Sequence, residues 1–296
     1  MKNLVFSFII PAHNEEEVIA DCLDSIKNQK VKKNYEIIVV NDGSSDKTKE
    51  IIENLMKTNK KIKLINNKNG TSAAYARNRG SEKAEGKYLI FLDSDQTLEK
   101  DFMKKLNKLA EEKDFDSAAI RILSTKPETI FQRGWHAYRK YNKCAAMIIR
   151  KKIFDKIKFR EDLFYVEDDV LFEEVKKKGC ELEESGVLVY HIDPKTFKDY
   201  LRQRKWQGRG LAMKIFRLKK YWAVRHFVPC LILPLMFISV YLLPIYLFLF
   251  WIFFSIKSGE PFNSFWWTIT DFFGRYISLF WFLVYSVAAL IKGKII

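Results

Sequence analysis

With 296 residues the chain can form one large domain or two small ones, and 51 Lys and Arg against 36 Asp and Glu leave a formal charge of +15. The four cysteines, Cys22, Cys144, Cys180 and Cys230, lie far apart with no Cys-x-x-Cys pair, which excludes a disulfide framework and a zinc ligand set and fits buried thiols in a reducing compartment. The positive excess sits beside an apolar tail and on no recognisable nucleic-acid module, so no nucleic-acid partner is expected.

In chain order, the apolar run at 4–10 reads as a first strand and not as an export signal, because it leads into "PAHNEEE" with no small-residue cleavage site. Helical spacing follows at 15–28, a strand at 35–40, a helix at 45–58, a strand at 62–65, a helix at 72–84 and a strand at 87–92. The strands are continuous apolar runs, as expected when helices cover both faces of a parallel sheet. Ligands of such sheets sit at the carboxyl ends of the strands. Three of those ends carry "PAHNEE", "NDGSSD" and "DSD", all rich in polar groups. Further on, 117–122, 144–149 and 187–190 read as strands, and 168–178 as a helix.

From Phe197 the apolar residues Leu201, Leu211, Ile215, Leu218 and Trp222 recur at helical spacing among basic ones, the form of a membrane-interfacial helix or of a surface helix packed on the domain. Between Lys198 and Arg225 there are ten basic residues and one acidic one. Phe227 to Ile256 has no charged residue. As a helix it would be roughly 45 Å long against a hydrocarbon core of about 30 Å, with Pro229, Pro234 and Pro244 able to kink or turn it. A second apolar stretch, 262–291, carries Asp271 and Arg275, spaced to pair on one helix face. Basic residues before the first stretch and Lys292 and Lys294 after the second predict both ends cytoplasmic, with two spans the parsimonious count and three the alternative. The expected organisation is a catalytic domain over 1–195, a basic juxtamembrane helix over 196–225, and transmembrane segments over 226–257 and 262–292. The expected localisation is a multi-pass membrane protein with its catalytic domain in the cytoplasm.

No Gly-x-Gly-x-x-Gly, Walker A or Gly-x-Ser-x-Gly pattern is present, so the sheet is neither a dinucleotide fold, a P-loop nor a hydrolase elbow. Asp93-Ser94-Asp95 remains at a ligand-facing strand end. Bare carboxylates there repel a diphosphate, and a hard cation such as Mg²⁺ or Mn²⁺ held between them reverses the sign. The alternative is helix capping by Asp95 or Thr97.

Four segments, "FIIPAHNEE", "EIIVVNDGSSDKT", "AYARNRGSEKAEGKYLIFLDSD" and "YVEDDVLFEEVKKKG", together resemble glycosyltransferase family 2, the inverting enzymes of the GT-A fold. The resemblance runs in order from about Phe8 to about Gly210. It implies an α/β fold with a mixed, mainly parallel sheet flanked by helices, followed here by the interfacial helix and the transmembrane region. By the same resemblance Pro11, His13 and Glu15 line a nucleotide pocket, Asp42 meets the base or ribose, Arg77 lies near the base and phosphates, and Asp93 and Ser94 contact the nucleotide sugar. Asp95 is implied as a Mg²⁺ or Mn²⁺ ligand, with His191 as a further one. Asp168 is implied as the general base that deprotonates an attacking hydroxyl. Trp206 and Arg209, in "RQRKWQGRG", resemble the segment that roofs the active site and meets the acceptor. The implied activity is transfer of a sugar from a nucleotide-diphospho-sugar to a hydroxyl of a lipid or lipid-linked saccharide at the cytoplasmic face of a bilayer. Two alternatives remain: transfer to a polyprenyl phosphate, which needs no base, and a non-catalytic nucleotide-sugar-binding membrane subunit.

Overall fold

A computed structural model describes residues 4–30, 35–68, 70–129, 131–133, 135–136, 139, 145–163, 165–220, 242–259 and 261–292. The chain divides into two compact units. The first comprises Met1–Leu123 and Cys144–Ile192, and the second comprises Ser124–Lys143 and Asp193–Ile296.

The first unit opens with β1 (Phe6–Ala12), α1 (Ile19–Lys27), β2 (Tyr35–Asp42), α2 (Thr48–Thr58), β3 (Ile62–Asn67), α3 (Ala73–Glu82) and β4 (Tyr88–Phe91). The four strands pair in parallel in the order β3-β2-β1-β4. Period-two alternation splits their side chains between two cores. Phe8, Ile10, Ile37, Val39, Tyr88 and Ile90 pack on one face, and Ile9, Ile38, Val40, Leu89 and Phe91 on the other. Both faces are buried, which is why these strands read as unbroken apolar runs. Helix α3 lies close on the sheet because Gly80 has no side chain: a Cβ there would come within 2.6 Å of Ile9.

The rest of the first unit comprises β5 (Gln96–Leu98), α4 (Phe102–Glu112), β6 (Ser117–Ser124), whose last residue belongs to the second unit, β7 (Ala145–Arg150), α5 (Lys151–Ile157), α6 (Glu167–Lys177) and β8 (Leu182–His191). Strand β7 runs antiparallel to β4 and completes an eight-stranded mixed sheet in the order β3-β2-β1-β4-β7-β6-β8-β5. Strand β5 and helix α5 carry no signal in the sequence pattern. β5 is only three residues long and exists through its antiparallel partner, with Gln96 opposite His191. It displaces the helix that capping by Asp95 or Thr97 would start, and α4 begins at Phe102.

In the second unit, helix α7 (Phe197–Ala212) starts in a capping box between Thr196 and Asp199 and continues as a π-helical turn, Met213–Arg217. Helices α8 (Leu242–Ser258) and α9 (Pro261–Lys292) follow. The sequence places an apolar stripe of α7 in contact, but the structure buries a different one: Tyr200, Arg204, Gly208 and Ala212 are inside, while Phe197 is 58% exposed. The buried stripe packs along α9. The Tyr200 hydroxyl donates to the Thr270 carbonyl, and Ser278 Oγ donates to the Arg204 carbonyl at 3.2 Å. Arg204, 1% exposed, meets Asp271 at 3.5 Å and lies over the rings of Tyr200, Trp135 and Trp267 at 5.0, 5.3 and 5.7 Å. Asp271 and Arg275 pair at 2.6 Å, as their spacing predicts, but as part of this buried cluster.

The expectation of two transmembrane segments is corrected. Among the described residues no helix is long and apolar enough to cross a membrane. Helix α8 has 17 residues, about 26 Å of helix against the roughly 30 Å of a hydrocarbon core. Helix α9 is long, but buries Ser264, Thr268, Thr270, Asp271 and Ser278 among its own unit's side chains. The part of the first predicted segment before Leu242, and of the predicted basic helix after Lys220, lies outside the described residues.

Candidate active site at the carboxyl edge of the sheet

The site is assembled where β1, β2 and β4 end. Beyond β1, "PAHNEE" is stitched to the loop after β2. Asn14, at a left-handed φ of 57°, donates its N–H to Ser44 Oγ at 3.0 Å, and its side-chain oxygen accepts from Ser45 N–H at 2.8 Å. The Glu15 N–H donates to Thr48 Oγ1 at 2.7 Å. His13 Nδ1 lies 2.8 Å from the Asp42 carbonyl oxygen. Gly43, at φ 74°, allows the tight turn that brings the two loops together. Pro11, His13 and Glu15 therefore lie on a segment that is bonded to the loop after β2.

Asp42 ends β2 and is almost fully buried. Its carboxylate accepts from Asn67 Nδ2 at 2.9 Å and from the Thr71 N–H at 2.8 Å, so it also holds the loop between β3 and α3. Asn67 and Thr71 were not legible as site residues, because nothing local marks a partner 25 or more positions away.

Arg77 gathers three carboxylates. Its guanidinium is buried at the centre of an acidic cluster, donating to Asp93 Oδ1 at 2.7 Å and to Glu167 Oε1 at 3.1 Å, with Asp168 Oδ1 at 3.5 Å. It joins the end of β4 to the first turn of α6. The neighbouring Asn78 fixes the approach to α6: its Nδ2 donates to the Phe159 carbonyl at 2.9 Å, and its Oδ1 accepts from the Phe159 N–H at 3.0 Å. Asp93 is further oriented by Gln96 Nε2 at 3.0 Å, and Ser94 is buried beside it.

Crowding pushes the Asp168 carboxyl up to about 6. Burial of its charge against the protein is the largest cause; repulsion from Glu167, Asp93 and Asp169 adds to it, and Arg77 pulls the other way. The side chain is 60% open to solvent, so water screens part of this crowding and the upward direction is what matters for its chemistry. An accessible carboxylate with a raised proton affinity, held beside a fixed arginine, has the properties of a proton acceptor.

Asp95 and His191 meet because β5 pairs with β8. Asp95 Oδ2 lies 3.3 Å from His191 Nε2, and the Asp95 carbonyl accepts from the Ile192 N–H at 3.1 Å. Two adjacent ligands of an octahedral cation are about 3 Å apart when each bond is near 2.1 Å, so the pair fits a shared Mg²⁺ or Mn²⁺. Among the described residues no group of three or more His, Cys, Asp or Glu side chains is arranged to hold a metal, so further ligands would be substrate oxygens and water. Cys22, a free thiol beneath this edge, is pushed well above the ordinary thiol range by burial and by Asp95 and Asp93, which makes it inert. Trp206 and Arg209 are carried by α7 in the second unit, where Trp206 is largely exposed and Arg209 lies over the Tyr285 ring at 5.2 Å.

The chain is similar to known glycosyltransferases. EpsJ, a glycosyltransferase of Bacillus subtilis, is 28% identical over 227 residues, covering 65% of this chain and 62% of its own length. The amylovoran biosynthesis glycosyltransferase AmsB of Erwinia amylovora is 37% identical over 107 residues, covering 36% of this chain and 35% of its own. The chain thus spans less than two thirds of either relative's length. The crystal structure of S. aureus TarS 1-349 in complex with UDP has a TM-score of 0.54 at 18% identity, covering 98% of this chain and 92% of that one, a likeness of fold. The family model of glycosyl transferase family 2 matches residues 7–169, which hold the ends of β1, β2 and β4 and the Glu167–Asp168 pair. On that match, the chain belongs to glycosyltransferase family 2.

Proposed function

We propose that the chain is an inverting glycosyltransferase that moves a sugar from a nucleoside-diphospho-sugar to a hydroxyl of a lipid or lipid-linked saccharide at a membrane surface. The observation that carries this reading is the Arg77 bridge, which sets Asp93 and the Glu167–Asp168 pair in one cluster at the carboxyl edge. The wall of Pro11, His13, Glu15 and Asp42, with Asp93 and Ser94, supplies the donor pocket. S. aureus TarS 1-349, of the same fold, has been solved in complex with UDP and with UDP-GlcNAc, and AmsB is named for amylovoran biosynthesis, which supports a sugar-nucleotide donor.

In this mechanism Asp168 accepts the proton of the acceptor hydroxyl as its oxygen forms a bond to the anomeric carbon. The bond from that carbon to the diphosphate breaks on the opposite face, and the nucleoside diphosphate leaves with the electron pair. Arg77 fixes Asp93 and Asp168 against each other, so little reorganisation accompanies the proton transfer. Asp95 and His191 would hold Mg²⁺ or Mn²⁺, which when bound offsets negative charge on the diphosphate.

The test uses purified full-length protein, a panel of sugar nucleotides beginning with UDP-GlcNAc, and a membrane lipid extract. Asp168→Asn is expected to cut transfer by about 10²–10⁴-fold while donor affinity stays within a few-fold. Undiminished transfer to polyprenyl phosphate by Asp168→Asn would move the assignment to that acceptor. Donor binding without turnover by any variant would leave a binding subunit.

A further inference from the structure

Helix α9 is inside out for a helix in water. Its polar residues Ser264, Thr268, Asp271, Arg275 and Ser278 fall on one side, buried or half-buried. Phe262, Phe265, Phe273, Phe280, Leu283 and Val284 recur at helical spacing on the opposite side and are exposed. Helix α8 repeats the pattern, with Ile245, Phe248, Leu249, Phe253 and Ile256 exposed along one face. The two helices form an antiparallel hairpin closed at Gly259, with Trp251 Nε1 donating to the Pro261 carbonyl at 2.8 Å and Phe254 and Trp267 in ring contact. Eleven large apolar side chains therefore face outward on one hairpin, more than the scattered exposure of an ordinary soluble surface.

The charge of the chain is confined to the same unit. The first unit holds 31 basic and 31 acidic residues, whereas the second holds 20 basic and 5 acidic, so the entire +15 belongs to the unit that bears the aromatic faces. An apolar face in a cationic body matches the interface of a bilayer containing anionic lipid, where apolar side chains enter the headgroup–acyl boundary and basic ones meet the headgroups. A second copy of the chain fits poorly, because two such units repel.

We infer that the α8–α9 hairpin docks flat on an anionic bilayer through its exposed aromatic faces, lying in the plane of the interface without crossing it. Helix α7 enforces the orientation. It runs along α9, with Lys205 over the Trp281 ring at 4.5 Å and Arg209 over Tyr285 at 5.2 Å. A spanning α9 would carry these cations into hydrocarbon, which is costly, whereas a flat hairpin immerses only the face opposite α7. This docking extends the acceptor reading above, since it would hold the enzyme on a lipid surface. Its test reads no turnover, so vesicle binding without transfer, or transfer without vesicle binding, tells which of the two fails.

The full-length protein is floated with vesicles of phosphatidylcholine alone or of phosphatidylcholine with phosphatidylglycerol. Strong partition into the anionic vesicles is expected, weakened but not abolished by salt. Phe273→Glu with Phe280→Glu, and separately Phe248→Ser with Phe253→Ser, are expected to lower partition about tenfold or more while thermal melting stays intact. Leu182→Glu, on the first unit, is expected to leave it unchanged. A fluorescent non-natural residue at position 262 or 283 is expected to report the same shallow depth by spin-labelled-lipid quenching. Absence of flotation, flotation indifferent to both double variants, a dimer abolished by those variants in place of vesicle binding, or unequal depths at the two positions would each overturn the inference.

Discussion

One guanidinium decides the character of the candidate site. Arg77 is surrounded by Asp93, Glu167 and Asp168; burial works against its charge, and the three carboxylates outweigh it and keep the guanidinium charged throughout the working pH range. Lysine offers a point charge in place of a planar fork, so Arg77→Lys cannot bridge the same carboxylates. We expect Arg77→Lys to fold and to lose about 10–100-fold in kcat with little change in donor affinity, read by steady-state kinetics and donor titration. The pH dependence follows from the raised proton affinity of Asp168. The base works only when ionised, so kcat/KM should fall as pH drops through about 6. Arg77 lowers that proton affinity, so its replacement by lysine, whose single ammonium cannot meet all three carboxylates, should move the acidic limb to higher pH. A pH–rate profile of the two proteins checks both statements. For the pair Asp95 and His191, Asp95→Ala or a chelator should weaken donor binding by about tenfold or more, measured by calorimetry, while melting in the absence of donor is unchanged.

At the scale of elements, placement comes from contacts far apart in sequence. Asn78 on α3 holds the backbone of Phe159, 81 positions away, in the segment that precedes α6. Asn78→Ala leaves buried backbone groups without partners and should cost about 1–3 kcal/mol of stability, seen in denaturant unfolding, and should lower kcat because α6 bears Asp168. The α7–α9 pair depends on the absence of side chains. A Cβ at Gly274 would collide with the Arg204 guanidinium and the Tyr200 hydroxyl, and one at Gly208 with the Ser278 carbonyl. Gly274→Leu should therefore lower the melting temperature, by the equivalent of about 1–3 kcal/mol or more of overpacking. The strands β1, β2 and β4 were legible because both their faces are buried. Strand β5 was not, since three residues with no periodicity of their own pair only because β8 is there.

At the scale of the whole chain, the second unit is discontinuous in sequence. Ser124–Lys143 leaves the first unit and joins Asp193–Ile296, held by Asp193, which accepts from Arg139 Nε at 2.9 Å and from Ser124 Oγ. Trp135 packs on Trp267 in that unit at 5.4 Å. A chain ending at residue 195 would keep Asp193 but strip the inserted segment of Trp267 and expose Trp135. Such a truncation should aggregate or bind a hydrophobic dye more than the full chain does, as a fluorescence assay would show.

The sequence by itself determined the parallel core, the family and the identity of the acidic and histidine side chains at the strand ends, because apolar periodicity and short motifs are local properties that survive in one dimension. It also determined the pairing of Asp271 with Arg275, one helical turn apart. The tertiary structure alone decided that Arg77 joins Asp93 to Glu167 and Asp168, that β5 brings Asp95 to His191, and that the C-terminal helices turn their polar sides inward. Each of those depends on groups tens of residues apart, and a hydropathy sum has no term for which side of a helix another helix will cover.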